Sequence, residues 1–103
     1  MLEQIMLISE KQLKRVLWLS LGGTKGGIMR LNILLLLQKR PSNKNQMAKA
    51  LGIDYTTAMY HIRVLEKQGF VQSEKKQYGT VYFLSTMLEK HGKLLSDMKE
   101  HIG

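Results

Sequence analysis

The stretch from Ser42 to Leu84 constrains what this chain can fold into more than any other part of it. It opens with SNKNQMAKALG, in which Ser42 or Asn43 can cap the exposed amides of a helix and apolar side chains fall at Met47, Ala48 and Leu51. Gly52 supplies a left-handed exit, and Ile53 packs the turn that follows. A second helix, residues 54–68, opens at Asp54, whose carboxylate suits the positive end of a helix dipole, and stops at Gly69. Ala58, Ile62 and Leu65 form its inward stripe. The opposite side carries Tyr55, Thr56, Met59, Tyr60, Arg63 and Lys67, a set of donors, acceptors and flat apolar groups with almost no negative charge.

Phe70 and Val71 then start a strand, Lys75, Lys76 and Gln77 lie near a tip, Gly79 can turn the chain, and VYFL alternates as a return strand. Two short helices around a glycine turn, followed by a basic hairpin, are in the order of a winged helix-turn-helix. In that arrangement the second helix suits a major groove. Arg63 has the fork to pair with guanine, and Met59 can touch a thymine methyl. The wing, residues 72–84, brings Lys75, Lys76, Gln77 and Tyr78 toward phosphate or the minor groove. Asn43, Lys44 and Asn45 begin the helix that crosses the DNA backbone in such motifs. The plainer reading of each set is a solvated helix face, a solvated loop tip and a capping residue with water-facing neighbours.

At this point the chain resembles a family. LGIDYTTAMYHIRVLEKQGFVQSEKKQYGTVYFL, from Leu51 to Leu84, looks like the core of the arsenical-resistance-repressor-like (ArsR-like) transcription regulators, in a form typical of small archaeal regulators. Thr57, His61, Leu65, Gly69 and Phe70 follow the family pattern most closely, and with the preceding GGTKGGIMRLNILLLLQKRPSNKNQMAKA the resemblance covers residues 22–84. It implies DNA binding, and it implies Thr57 and His61 as contact residues; for His61 a structural hydrogen bond is an equal alternative. Metal-sensing relatives carry a cysteine motif in the helix before the recognition helix. Here that helix reads NQMAKALG, so a thiolate sensor at that place is excluded.

Charge placement agrees. The net charge of +8 divides into +1 over residues 1–23, +7 over residues 24–83 and 0 over residues 84–103. A basic core of this kind is the footprint expected for a polyanion. The absence of cysteine removes disulfides, thiolate catalysis and cysteine-based zinc sites, and a start unlike a signal peptide argues for the cytoplasm. The apolar run Ile33 to Leu37 is too short for a bilayer, which takes about 20 residues.

Around the core, residues 1–21 predict an N-terminal helical segment with Ser9 and Gln12 spaced as a capping box and apolar positions at Leu13, Val16, Leu17 and Leu21. Whether residues 2–8 extend it is open. GGTKGG, Gly22 to Gly27, is a linker that lacks the order of a nucleotide-binding loop; Thr24 is placed to cap the next helix, and Lys25 to touch a DNA phosphate. That helix, GGIMRLNILLLLQKR, has a stripe of Ile28, Leu31, Leu34, Leu35 and Gln38 and must stop before Pro41. In residues 85–103, and from Leu84 onward, Leu84, Leu88, His91, Leu95, Met98 and Ile102 alternate at four and three. This heptad seam predicts a terminal helix that pairs with a second copy, with Leu13, Val16 and Leu17 sharing the dimer interface. Glu89, His91, Asp97, Glu100 and His101 on that helix raise a metal site shared between copies, but a packed histidine is the commoner outcome, and no metal or other cofactor is expected. No catalytic arrangement is evident.

The expected fold is therefore α+β and mostly helical: residues 1–21, a winged helix-turn-helix at 22–84 and a dimerisation helix at 85–103, in one compact domain. The expected protein is not an enzyme but a homodimeric regulator that reads double-stranded DNA. An RNA-binding winged helix and a protein-docking winged helix of a larger assembly are the alternatives.

Overall fold

The computed structural model describes the backbone of residues 9–102 and the side chains of residues 9–101. The questions raised for residues 2–8 and for the Ile102 side chain lie outside these residues. Helix α1 (Glu10–Leu21) starts at Ser9 with the expected capping box: the Gln12 amide donates to Ser9 Oγ at 3.1 Å, and the Ser9 amide to Gln12 Oε1 at 3.0 Å. Leu13, Leu17 and Leu21 face the core, one or two turns apart, whereas Val16 lies off that stripe and is 39% exposed.

Helix α2 (Gly27–Lys39) is not capped by Thr24. The Thr24 hydroxyl donates backward, to the carbonyls of Ser20 at 3.1 Å and Leu21 at 3.2 Å, and so closes the end of α1. The N-cap position falls to Gly26, at φ 81°, a conformation that an L side chain rarely adopts. The buried face also differs from the expected stripe. Arg30, Leu31, Ile33, Leu34 and Leu37 are buried, Leu35 is half-buried, Gln38 is exposed, and Ile28 is 51% exposed. The helix is apolar on more than one side because α1, α4 and the wing all pack on it, so no single narrow stripe describes it.

Helix α3 (Lys44–Leu51) starts at Asn43, not Ser42, with a second capping box: Asn43 Oδ1 accepts from the Gln46 amide and Gln46 Oε1 accepts from the Asn43 amide, both at 2.8 Å. Gly52, at φ 67°, turns the chain out of it. Helix α4 (Tyr55–Lys67) starts at Asp54 and buries Ala58, His61, Ile62 and Leu65. Strands β1 (Val71–Lys76) and β2 (Gly79–Leu84) pair antiparallel, Val71 opposite Leu84 and Lys76 opposite Gly79, with Gln77 and Tyr78 at the turn. Ser42, buried, exchanges backbone hydrogen bonds with Tyr82, at 3.0 and 2.9 Å, and so fastens the start of the helix pair to the wing.

The C-terminal segment departs most from expectation. It is two helices, α5 (Thr86–Lys90) and α6 (Lys93–Ile102), broken at His91 and Gly92, where Gly92 lies against the tip of the Gln38 side chain. Leu88, Leu95 and Met98 are buried inside the chain with Leu13 and Leu17, all in one core with α2 and the wing. They are therefore core residues rather than surface held for a second copy. Burying one such side chain is worth about 1.5 to 3 kcal/mol, so three of them approach the whole net stability of a small domain. His91, half-buried, has Nδ1 3.5 Å from Glu10 Oε2 and joins α1 instead of a seam.

Candidate nucleic-acid interface

The orientation of α4 follows from its two ends. Asp54 Oδ1 accepts from the Thr57 amide at 2.7 Å and Oδ2 from the Thr57 hydroxyl at 3.0 Å; these hydrogen bonds hold the Asp54 carboxyl below the usual carboxylate range. Thr57 is thereby a capping residue, half-buried, and its hydroxyl is not offered outward. At the far end the Ser73 hydroxyl donates to Glu66 Oε2 at 3.3 Å, tying the helix to β1. Between them the outward face carries Tyr55, Thr56, Tyr60, Arg63 and Lys67, all exposed, with Tyr60 at 61%. Met59 is half-buried and packs on the core.

His61 lies beneath this face. It is 7% exposed, and its Nδ1 sits 3.2 Å from Nη1 of Arg30, itself 7% exposed. Arginine only donates, so Nδ1 accepts and the imidazole is neutral. Burial first, and then the Arg30 charge, push the His61 pKa below its ordinary 6.5. Of the two readings of His61, the structure shows the internal hydrogen bond. Its partner Arg30 was not singled out in the sequence; a cation between Met29 and Leu31, near the start of a largely apolar helix, is the only signal it leaves.

The neighbouring elements extend the surface. Lys44 places Nζ 4.7 Å from the centroid of the Tyr55 ring, a cation–π contact that links the starts of α3 and α4. Asn45 is exposed, whereas the Asn43 carboxamide is spent on its cap. On the wing Lys75, Gln77 and Tyr78 are exposed, and Lys76 pairs with Glu74 at 3.0 Å. Tyr82, on β2, is buried; burial first, and then the nearby Glu66 charge, raise its phenol pKa, so it stays neutral. Lys25, exposed, stands on the loop before α2. All three acidic residues in 24–83 have internal partners: Asp54 with Thr57, Glu66 with Ser73 and Glu74 with Lys76. The ten basic side chains of residues 24–83 against these three carboxylates leave the surface with an excess of positive charge.

On α6, His101 Nδ1 donates to the Asp97 carbonyl at 2.8 Å and its ring meets Trp18 edge-on at 6.2 Å. Among the described residues no three histidine, aspartate or glutamate side chains gather in a way that could hold a metal ion. No described helix is long and apolar enough to cross a membrane.

Two helices joined at a left-handed glycine, the second with one face outward and followed by a two-stranded wing, make this fold a winged helix-turn-helix. Residues 29–73, from α2 into β1, match the sequence profile of the bacterial regulatory protein, arsR family. A search of curated protein sequences gave no significant match. Among solved structures, the fold is similar to the homodimeric winged helix-turn-helix DNA-binding domain of Mb0332 from Mycobacterium bovis, a possible ArsR-family transcriptional regulator: TM-score 0.66, 20% identity, 90% of this chain and 85% of that one. It is similar to HlyU from Vibrio cholerae, with TM-score 0.65, 20% identity, and 88% and 97% of the two chains covered. Wild-type ZitR from Lactococcus lactis gives TM-score 0.63 at 18% identity, covering 79% of this chain. The chain spans only 56% of that ZitR chain, and a similar share of its variants. At these identities the likeness is one of fold, and the archaeal character expected from the sequence draws no support from it.

Proposed function

We propose that the protein is a sequence-specific, double-stranded DNA-binding transcription regulator that acts as a homodimer, by binding and without a catalytic step. The observation that carries this reading is the outward face of α4 beside a cationic wing, where each of the three acidic groups of residues 24–83 has a partner within the chain. Tyr55, Thr56, Tyr60 and Arg63 read base edges in the major groove, and Lys67 and Lys44 meet the flanking phosphates. Lys75, Gln77 and Tyr78 lie on the backbone or in the minor groove, with Lys76 released from Glu74 to join them. Lys25 and Asn45 are further backbone contacts. The homodimeric Mb0332 domain supports two copies per operator. Because the seam residues are buried in the chain, the copies meet instead through the outer face of α1, where Val16 is 39% and Leu19 is 70% exposed. Residues 22–84 are then the DNA-binding part, with the flanking helices packed on it as one domain.

The test is selection of bound sequences from a random duplex pool at about 150 mM salt, a strength that suppresses purely electrostatic binding. An enriched two-fold-symmetric site is the expected result. Binding that survives only at low salt, with no enriched sequence, would overturn sequence-specific reading.

A further inference from the structure

We propose that the Gly22–Gly27 turn and the first turn of α2 form a phosphate-binding site, with Lys25 on its solvent side and Arg30 as a fixed cation behind it. The assignment of a DNA backbone phosphate as its occupant rests on the function proposed above; the site itself does not.

Helix α2 has 13 residues and its first turn has no side-chain cap. The Gly27 amide donates to the Thr24 carbonyl at 3.0 Å, but the amides after it, at Ile28 and Met29, belong to the group that a helix leaves without internal partners. Amides so placed, at the positive end of the helix dipole, favour an anion. The independent observation is Arg30. Side chains on a helix lean toward its N-terminus, and the Arg30 guanidinium accordingly lies back over the first turn: a Cβ on Gly26 would stand 3.2 Å from Nη1 of Arg30 and 3.0 Å from Cε1 of His61. Nη1 meets the neutral His61 ring, Nη2 donates to the Lys25 carbonyl at 3.2 Å, and Nε is buried with no partner. Neither ion pair among the described residues includes Arg30. A cation more than nine-tenths buried, without a counter-anion and next to the positive end of a helix, is a costly arrangement for the protein alone. An oxyanion over the first turn supplies the missing charge. Gly26 suits the role, because any side chain there would press on Arg30 and His61, and Ile28, 51% exposed, puts the outer side of the turn at the surface.

The full chain, labelled with nitrogen-15, is titrated with inorganic phosphate against chloride at equal ionic strength while the amide resonances of Gly26 to Met29 are followed. A duplex oligonucleotide is then added in place of phosphate. Saturable shifts of these amides with phosphate, and at least a tenfold weaker response in Ile28→Glu, which places a carboxylate over the turn at an exposed position, are the expected results. Arg30→Gln should weaken the response similarly; because that residue is buried, Ile28→Glu carries the test if this second variant does not fold. Shifts of the same amides by duplex identify the occupant as a backbone phosphate. Duplex binding that leaves them unmoved, with phosphate still saturating, overturns the backbone assignment and leaves a site for free phosphate. Phosphate saturation without any duplex binding upholds the site and overturns the DNA-binding function. If neither phosphate nor duplex shifts these amides, the site is refuted.

Discussion

Replacing Leu95 by alanine separates two uses of the C-terminal helix. Leu95 is fully buried within one chain, so the change removes three carbon atoms from the core. At about 0.8 kcal/mol for each carbon the lost transfer energy is about 2.4 kcal/mol, and incomplete collapse of the cavity brings the cost to about 3 kcal/mol or more. For a domain of this size each kcal/mol is worth about 4 to 8 °C, so Tm should fall by about 12 to 24 °C. The parallel variant is Leu19→Asp. Leu19 is 70% exposed, and its replacement should cost the protomer less than about 0.5 kcal/mol while weakening a dimer built on the outer face of α1. Thermal unfolding followed by circular dichroism gives the first quantity, and sedimentation equilibrium gives the mass. Leu95→Ala should remain dimeric at temperatures where it is folded. A Tm within about 5 °C of the parent, together with a halved mass, would refute the assignment of this residue to the core and restore it to a seam between subunits.

Arg63→Ala should relax base preference at one position of each half-site by about 1 to 3 kcal/mol, whereas Lys75→Ala should weaken specific and random duplexes alike; fluorescence anisotropy with matched oligonucleotides distinguishes them. If six to ten phosphates are engaged, affinity should drop by about a thousandfold or more between 50 and 200 mM salt, and a flat salt profile would count against the backbone contacts. Asp54 has its folded pKa below the reference value of 3.8, so its capping contribution is complete above that pH and is lost as pH falls through the folded value. The Tm difference between the parent and Asp54→Ala should accordingly be full at pH 6 and shrink toward pH 2.5. His61 has its folded pKa below 6.5, so the unfolded chain takes up the proton first; stability is complete above 6.5 and declines below it. Urea midpoints at pH 7.5 and 5.5 should diverge less in His61→Gln than in the parent.

Local chemistry made much of this fold legible. Ser9 with Gln12, the cap at Asp54 and the left-handed Gly52 and Gly69 act within a few residues of themselves, and the structure has them where their spacing put them. The choice between Ser42 and Asn43 was harder, because both side chains can cap; the pairing of Ser42 with Tyr82, 40 positions away, decides it. Thr24 failed for a related reason, since its hydroxyl serves equally well to end one helix or begin the next. The C-terminal spacing misled because a stripe at fours and threes records only that one side of a helix is apolar. It does not record whether that side meets the same chain or another. On the candidate surface, Tyr55, Thr56, Tyr60 and Arg63 were readable as outward from their offset to Ala58, Ile62 and Leu65, but His61 needed its partner Arg30 on another helix before its place could be known.

The two sides of α4 share almost no residues. What holds the helix in place is Ala58, His61, Ile62 and Leu65 beneath it and the anchors Asp54 and Glu66 at its ends, while Tyr55, Thr56, Tyr60 and Arg63 contribute little to the core. Substitutions on the outer side therefore carry small penalties in stability, and under the proposed DNA-reading function a lineage can change which sequence it recognises without first acquiring compensating changes inside. Selectivity and foldability can drift independently in such a molecule, and a laboratory library confined to those four positions should return mostly folded proteins.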